Sequence, residues 1–303
     1  MASPITVRAR AGDQRVGVER SVEAALALFT RVDRACTRFD STSPLMRANA
    51  HPDRWHQVPR ECFGAIARAQ AAYQRTGGRF DPRVLADLVR LGYSRSLPFG
   101  AGVVRLPAAP SRSRAGWGPW RPGFRGATSE IRLGSAPVDL GGIGKGLAVS
   151  WASRALRPAA PHHLVEAGGD CHCSGRAPDG GPWRVGVEDP GGGADPLAVL
   201  QLVDRACATS SVRLGCWTAG GRPVHHLVDP RTGRPGGHGL RSVTVVGPDA
   251  AEAEVWSKVV FLAGRAGAES LASRRGLAAL WVGDDGRVAT SAAMDRYVAW
   301  RAC

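Results

Sequence analysis

The spacing of apolar residues changes along this chain, and that change restricts the fold more than any other feature. In the first third, apolar side chains recur at helical spacing, at Val22, Leu26, Phe29 and Val32. This periodicity predicts a helix over about residues 18–39. Beyond residue 160 the pattern is mostly that of short strands. A chain with these two parts is expected to form an α+β fold, with helices packed on mostly antiparallel sheets.

The remaining elements follow from local patterns and turn residues. Pro59 is expected to open a second helix that stops at Gly77-Gly78, and a short third helix ends near Gly92. Further helices are predicted at 147–156 and, without a break, at 249–272. Strands are predicted at residues 5–9, 131–133, 138–140, 163–165, 183–187, 198–203, 242–246 and 279–282. No repeat or long linker divides the chain, so residues 1–300 are predicted to form one domain of two closely packed lobes.

The net charge of +14 normally indicates a nucleic-acid or membrane-surface partner, but its distribution argues against one. Of the 40 basic residues only Lys145 and Lys258 are lysines, and the other 38 are arginines scattered without a dense block. Nucleic-acid binding is therefore not expected. In a chain that almost always uses arginine, a lysine stands out. It is expected at sites that need a compact positive charge on a flexible side chain.

The chain contains no apolar stretch of the roughly 18 residues that a membrane-spanning helix needs. It also lacks a leader or lipobox, so a cytoplasmic location is expected. The odd number of cysteines, seven, agrees with a reducing compartment. Cys171-His172-Cys173 is the one cluster that could bind a metal such as zinc. Because no matching pair of cysteines follows, the favoured interpretation is a strand with both thiols on one buried face.

One segment, D-L-G-G-I-G-K-G at residues 139–146, combines a strand, a glycine-rich turn and the start of a helix. Backbone amides at such a helix start point toward an anion, and glycine lets a phosphate approach the backbone. Lys145 adds a positive charge. The spacing is neither that of a Walker A loop nor that of a G-x-G-x-x-G motif. On its own, the segment is as consistent with a structural turn as with a phosphate site.

His226 is the candidate general base. It lies three residues before Asp229, and the proline-containing turn at that point can fix the directions of both side chains. The alternative is a histidine that only satisfies hydrogen bonds in a turn.

Five motifs in one order are more specific than any of them alone. They are T-G-G-R-F-D-P at 76–82, D-L-G-G-I-G-K-G at 139–146, E-A-G-G-D at 166–170, A-T-S-S at 208–211 and H-H-L-V-D-P-R-T-G at 225–233. The first residues are similar to an M-G-T-P start, and residues 38–49 to S-x-[YF]-x-x-x-S-x-L-x-x-x-N. With these motifs the chain resembles the FAD:protein FMN transferase (ApbE) family from residue 1 to about residue 264.

The resemblance implies an enzyme that binds FAD in a cleft between the two halves of the fold and splits its pyrophosphate. Such an enzyme transfers FMN to a threonine or serine hydroxyl of a target protein and releases AMP. Many members of the family need Mg²⁺. His226 would take the proton from the target hydroxyl, with Asp229 also counted as catalytic.

The resemblance also implies which residues here contact FAD. The flavin would contact Met1, Phe39, Arg79, Phe80 and Asp81. The pyrophosphate and ribityl chain would contact Asp139, Lys145 and the backbone of Leu227.

The metal site is where the chain departs from the family. The family uses a backbone carbonyl in the glycine-rich turn and an aspartate and a threonine one helical turn apart. The corresponding residues here are Gly142, Glu254 and Lys258. A protonated lysine has no lone pair for Mg²⁺.

Three interpretations of Lys258 remain open. It forms an i,i+4 surface ion pair with Glu254, or Mg²⁺ still binds through rearranged ligands. In the third and favoured interpretation, Lys258 takes the place of the metal and neutralises the pyrophosphate, which makes it a catalytic residue. This interpretation predicts that FAD binds without a divalent ion.

Two other functions fit the same sequence. One is an FAD-binding protein without transferase activity, and the other is an FAD pyrophosphatase with water as acceptor. For a transferase, the expected partners are FAD and an acceptor protein that carries a threonine or serine flavinylation motif. The chain has no D-G-x-x-[ST]-G-A-[ST] acceptor motif of its own, so self-flavinylation is not indicated.

Overall fold

The computed structural model describes residues 4–9, 15–95 and 118–302, and only the backbone of residues 15 and 16. The chain divides into two compact units. Unit 1 comprises the described residues of 31–144 and 214–236, and unit 2 those of 3–30, 145–213 and 237–303. Within the described ranges, no helix combines the length and the hydropathy that crossing a bilayer requires. The single domain over residues 1–300 stays a prediction.

Helices and strands alternate irregularly along the chain. In chain order the helices are α1 (Arg15–Cys36), α2 (Pro44–Ala50), α3 (Arg60–Arg75), α4 (Leu85–Arg90), α5 (Gly144–Leu156), α6 (Ala250–Leu262) and α7 (Gly264–Arg275). The strands are β1 (Ile5–Ala9), β2 (His56–Gln57), β3 (Gly123–Arg125), β4 (Glu130–Arg132), β5 (His163–Ala167), β6 (Asp170–Ser174), β7 (Trp183–Val187), β8 (Ala198–Leu202), β9 (Arg205–Ser211), β10 (Cys216–Ala219), β11 (Arg222–His225), β12 (Val228–Asp229), β13 (Arg234–Pro235), β14 (Leu240–Gly247), β15 (Ala278–Gly283), β16 (Val288–Thr290) and β17 (Val298–Arg301).

Unit 2 is built on an antiparallel sheet with the strand order β1-β5-β6-β9-β14-β15-β16. A second antiparallel sheet has the order β17-β8-β7. Helix α6 packs against β6, β9 and β14, and α7 packs against α6 and β15. Helices on antiparallel sheets are the α+β arrangement that the sequence predicts.

Helix α6 is almost wholly buried, including its polar residue Glu254. The carboxylate of Asp249 caps its first turn by accepting a hydrogen bond from the amide of Glu252 at 2.8 Å. Helices α5 and α6 approach closely, because a Cβ on Gly146 would overlap the backbone of Ala250. This close approach brings the first turn of α5 beside Glu254.

Unit 1 contains α2, α3 and α4, a small antiparallel sheet with the order β2-β4-β3, and the hairpins β10–β11 and β12–β13. An apolar cluster joins α4 to the first hairpin. Trp217 Nε1 donates to the carbonyl of Leu91 at 2.7 Å, and Arg90 Nη2 donates to the carbonyl of Gly233 at 2.5 Å. These contacts hold the segment around His226 against α4.

Two predicted elements are wrong. The helix predicted at 249–272 is broken at Gly264, where φ is +69° and the amide of Arg265 donates to the carbonyl of His238 at 2.9 Å. Residues 138–140 form no strand, because the backbone groups of Val138 bond to the side chain of Asn49 at 2.8 Å each. A backbone that is satisfied by a side chain needs no partner strand.

The other predicted elements are confirmed with boundaries shifted by a few residues, for example β1, α3 and β15. Residues 171–173 lie in β6, with Cys171 and Cys173 buried and His172 on the opposite face. Among the described residues, no group of three His, Cys, Asp or Glu side chains is arranged to hold a metal ion. The burial of Cys171 and Cys173 in β6 agrees with the buried-strand interpretation of the two cysteines.

Candidate active site

His226 is held with its ring against a backbone carbonyl. Its amide donates to the carbonyl of Gly215 at 3.0 Å, and Nδ1 lies 3.1 Å from the same oxygen. A carbonyl only accepts, so Nδ1 of the neutral ring carries the proton and Nε2 carries the lone pair. Gly215 permits this contact, because a Cβ there would overlap the imidazole. In the neutral ring this contact leaves the lone pair on Nε2, which is the arrangement that a general base requires.

Asp229 stabilises the turn that follows His226. Its Oδ1 accepts from the amide of Arg231 at 2.9 Å and from Nε at 3.0 Å, and its Oδ2 accepts from Nη2 at 2.7 Å. Its carbonyl accepts from the amide of Gly233 at 2.8 Å. These bonds make Asp229 the anchor of the turn, and a catalytic role for its carboxylate stays a prediction.

Arg38 joins Phe39, Tyr93 and Asp139. Its guanidinium lies 4.3 Å from the ring centroid of Phe39 and 4.1 Å from that of Tyr93, and its Nε is 2.7 Å from Asp139 Oδ2. The side chain is 7% exposed, and its Nη2 has no hydrogen-bond partner in the described part of the chain. A buried N–H group without a partner is a donor that a ligand can use.

Tyr93 extends this group of side chains toward His226. Its ring centroid is 5.4 Å from that of Trp217 and 6.5 Å from that of His226. Burial raises the pKa of Tyr93, and Asp139 adds to this effect while Arg38 opposes it. We call Phe39, Tyr93 and Trp217 the aromatic cluster. Phe39 is 44% exposed, so this part of the cluster is open to solvent.

The turn at residues 80–83 adjoins Asp139, whose amide donates to the carbonyl of Pro82 at 2.7 Å. Asp81 accepts from the amide and the guanidinium of Arg83, at 2.8 to 3.0 Å. Phe80 is buried, and its amide donates to Thr76 Oγ1 at 3.0 Å. The packing therefore brings the predicted residues Phe80, Asp81 and Asp139 together in unit 1.

Unit 2 contains a cluster of four charged side chains, which we call the charge cluster: Lys145, Asp170, Glu254 and Lys258. Lys145 Nζ bonds to Asp170 Oδ2 and lies 3.5 Å from Glu254 Oε1. Lys258 Nζ lies 3.6 Å from the same oxygen of Glu254. The amide of Gly146 donates to Glu254 Oε2 at 2.9 Å, and the amide of Thr209 donates to Asp170 Oδ1 at 3.3 Å.

Both carboxylates of the charge cluster are buried, at 0% exposure for Asp170 and 1% for Glu254. Burial raises the pKa of Asp170 to about 6, against the opposing charge of Lys145. Burial alone would lower the pKa of Lys145, but Asp170 and Glu254 outweigh it and hold this pKa above its usual value. Lys145 therefore stays charged near neutral pH.

The side chains around Glu254 do not suit a divalent cation. Both lysines point an ammonium group at Oε1, and an amide occupies Oε2. Mg²⁺ needs oxygen ligands in near-octahedral geometry, and a protonated lysine offers none. Binding of a metal by Gly142 and Glu254 stays a prediction, and the residues at Glu254 do not favour it.

The predicted site residues fall into both units. Unit 1 contains Phe39, Arg79, Phe80, Asp81, Asp139, Gly142, His226, Leu227 and Asp229, and unit 2 contains Lys145, Glu254 and Lys258. Met1 lies outside the described residues. Arg79 is exposed and Leu227 is buried, with its carbonyl accepting from the amide of Gly236 at 3.1 Å.

The sequence interpretation assigned no role to Arg38, Tyr93, Trp217 and Asp170. Two of them lay within recognised motifs, since Arg38 precedes Phe39 and Asp170 ends the A-G-G-D segment. Nothing local in the sequence identifies Tyr93 or Trp217. The contacts of Tyr93 with Trp217 and His226 depend on how α4 packs against the β10–β11 hairpin.

Solved structures define the class of protein. The crystal structure of the ApbE protein of Thermotoga maritima superimposes with a TM-score of 0.80, at 28% identity, over 97% of this chain and 94% of that chain. The ApbE family model matches residues 1–281. The chain belongs to the ApbE family.

Two curated relatives carry the name FAD:protein FMN transferase. The protein of Salmonella typhimurium is 32% identical over 151 residues, which is 49% of this chain and 43% of that protein. The protein of Treponema pallidum is 26% identical over 253 residues, 78% of this chain and 69% of that protein. The matched region thus spans less than half the length of the Salmonella relative.

Proposed function

We propose that this protein is an FAD:protein FMN transferase. The observation that carries the proposal is the state of His226, whose Nδ1 is fixed on the carbonyl of Gly215 so that Nε2 can accept a proton. Membership of the ApbE family and the names of its relatives support it. The unpaired Nη2 of Arg38 and the aromatic cluster supply a donor and ring faces of the kind that FAD uses.

The proposed reaction is a phosphoryl transfer. The hydroxyl oxygen of a target threonine or serine bonds to the phosphorus of the FMN half, and the bond from that phosphorus to the bridging oxygen breaks. AMP leaves with the bridging oxygen and its electron pair, while the hydroxyl proton passes to Nε2 of His226. The chain's own residues position the substrates, neutralise charge and accept this proton.

The proposed contacts follow the assignments made from the sequence. Phe39, Arg79, Phe80 and Asp81, with Met1, contact the flavin. Asp139, Lys145 and the backbone of Leu227 contact the pyrophosphate and ribityl chain. The hydrogen bonds of Asp81 to Arg83 and of Asp139 to Arg38 favour roles in which these carboxylates keep the turns and donors in place.

The acceptor is proposed to be a separate protein that carries a threonine or serine flavinylation motif. The cytoplasmic location stays a prediction. The alternative functions, FAD binding without transfer and FAD hydrolysis, have no observation here that favours them over transfer. The test below separates all three functions.

The test is the intact mass of an acceptor domain with the D-G-x-x-[ST]-G-A-[ST] motif after incubation with this protein and FAD. We expect a gain of one FMN and the release of one AMP for each acceptor modified. An acceptor whose threonine is replaced by valine is the control and should gain nothing. Free FMN and AMP without modified acceptor would instead indicate a pyrophosphatase. Bound but intact FAD would indicate a flavin-binding protein.

A further inference from the structure

The charge cluster of unit 2 balances its charges without a metal ion. Asp170 and Glu254 contribute two negative charges, and Lys145 and Lys258 contribute two positive ones. Glu254 is the shared member, since both ammonium groups lie within 3.6 Å of its Oε1. Buried charges are tolerated when they are paired and hydrogen-bonded, as each carboxylate is here.

The position of Lys258 is not that of a surface ion pair. Its side chain is 18% exposed, and its partner Glu254 is 2% exposed. An exposed i,i+4 pair between helical residues is solvated on both sides, which this pair is not. The first interpretation drawn from the sequence is therefore the least compatible with the packing around α6.

The net charge decides what else the cluster can hold. Without Lys258, the two carboxylates and Lys145 would have a net charge of −1. The site would then attract a cation. Lys258 supplies that cation from within the chain. In the absence of FAD, a divalent ion added to the complete cluster would leave two uncompensated positive charges beside two ammonium groups, and burial makes such an excess costly.

We propose that Lys258 is a built-in cation that takes the place of a divalent metal ion and contacts the FAD pyrophosphate. This inference rests on the proposed function. As the bond between the FMN phosphorus and the bridging oxygen breaks, the departing AMP phosphate keeps the electron pair, and Lys258 stabilises its negative charge. An ammonium has three N–H donors, so Lys258 can contact Glu254 and a phosphate oxygen at the same time.

The first experiment uses the wild-type protein. FAD is titrated into it with EDTA and, separately, with MgCl2, and binding is followed by quenching of flavin fluorescence. We expect the same Kd in both. Mn²⁺ alone, added to the protein without FAD and followed by EPR, should show no stoichiometric binding. FAD binding that needs Mg²⁺, or one tightly bound Mn²⁺ per chain, would overturn the inference.

The second experiment compares two substitutions of the same lysine. Lys258→Met removes the charge and is expected to weaken FAD binding about 10- to 100-fold with or without Mg²⁺, since one charged contact is lost. Lys258→Thr introduces an oxygen ligand. Its FAD binding should be equally weak in EDTA and should return to the wild-type affinity when Mg²⁺ is added. Arg184→Met is the control, because it removes an exposed positive charge from β7 of the same unit. It should bind FAD as the wild type does.

The outcomes distinguish this inference from the proposed function. If transfer and FAD binding both need Mg²⁺, the transferase stands and the role of Lys258 is wrong. If FAD binds equally in EDTA and no acceptor is modified, the transferase is wrong, while the fluorescence data still support Lys258 as the cation. If Lys258→Met, confirmed as folded by circular dichroism, binds FAD as the wild type does, the inference is overturned.

Discussion

The sequence Asp-Pro-Arg occurs at residues 81–83 and again at residues 229–231, and the two copies fold into nearly the same turn. In each, the aspartate accepts from the arginine amide at 2.9 Å and from Nε at 3.0 Å. The second oxygen accepts from Nη2 at 2.8 Å in the first copy and at 2.7 Å in the other. Three residues of sequence therefore determine the turn in both places.

The surroundings of the two turns differ. The side chain of Arg83 is 4% exposed, donates to the carbonyl of Gly118 at 3.0 Å and lies 5.6 Å from the ring centroid of Tyr73. The side chain of Arg231 is 61% exposed. The side chains of the two aspartates are similarly buried, at 8% and 10% exposure, so the two turns differ in the exposure of the arginine. The same local bonds should thus stabilise the protein by different amounts and serve different purposes.

The largest expected difference is chemical, because a histidine precedes only the second turn. His226→Ala should lower the rate of FMN transfer about 100- to 10,000-fold through loss of the base, with FAD binding retained. The measurement is the time course of acceptor mass with the protein in excess. His225→Gln, at the neighbouring histidine, is the matched control and should keep most of the activity. Equal losses in the two variants would contradict a specific role for His226.

The second expected difference is in stability. Arg83→Met should lower the free energy of unfolding by about 3–5 kcal/mol, because it removes a buried guanidinium and leaves both of its partners, Asp81 and the carbonyl of Gly118, without that donor. Urea unfolding followed by tryptophan fluorescence measures this change. Arg79→Met, at an exposed arginine four residues earlier, is the control and should unfold at nearly the wild-type midpoint. A similar midpoint for Arg83→Met would mean that the buried turn contributes little.

A smaller effect is expected when the ring of His226 is displaced instead of removed. Gly215→Ala places a Cβ where the imidazole lies, so the rate of FMN transfer should fall by up to about 100-fold while FAD binding is kept. Gly126→Ala, at a glycine of unit 1 whose Cβ would meet no atom within 4 Å, is the control. Full activity of Gly215→Ala would show that the contact between Nδ1 and the carbonyl of residue 215 is dispensable.

The smallest effect is expected at the exposed arginine of the second turn. Arg231→Met should change the free energy of unfolding by at most about 1 kcal/mol, since the guanidinium of Arg231 is largely exposed and the amide of residue 231 still bonds to Asp229. The same urea experiment gives this value, and its difference from Arg83→Met is the test of the comparison. If the two variants lose equal stability, exposure does not decide what an Asp-Pro-Arg turn contributes.

Much of the fold could be predicted because it depends on short-range patterns. The alternation in β1 and the Pro59 and Gly77-Gly78 boundaries of α3 are local signals, and the structure confirms both elements. The break at Gly264 was missed, since a glycine in a helical pattern is usually tolerated and only the carbonyl of His238 makes a second helix start there. The strand predicted at residues 138–140 does not form for a similar reason, because the side chain of Asn49 bonds to the backbone of Val138.

The features of the site likewise divide into residues that motifs predict and contacts that only the packing reveals. Motifs identify His226, Asp139, Lys145, Glu254 and Lys258, because chemistry restricts which residue types can stand at those positions. No motif indicates that Arg38 lies between Phe39 and Tyr93, or that Glu254 binds both lysines. These contacts join residues far apart in the chain, and only packing decides them.

The sequence by itself determined the family, the α+β class, the proline-containing turn after His226 and the two lysines, since each depends on residue type and local spacing. The tertiary structure decided that Arg83 is buried while Arg231 is exposed, and that His226 presents Nε2 as its basic nitrogen. It also decided that Lys258 lies beside a buried carboxylate. The physical reason is that burial and charge pairing depend on elements brought together from distant parts of the chain, whereas turns and helix boundaries depend on neighbours.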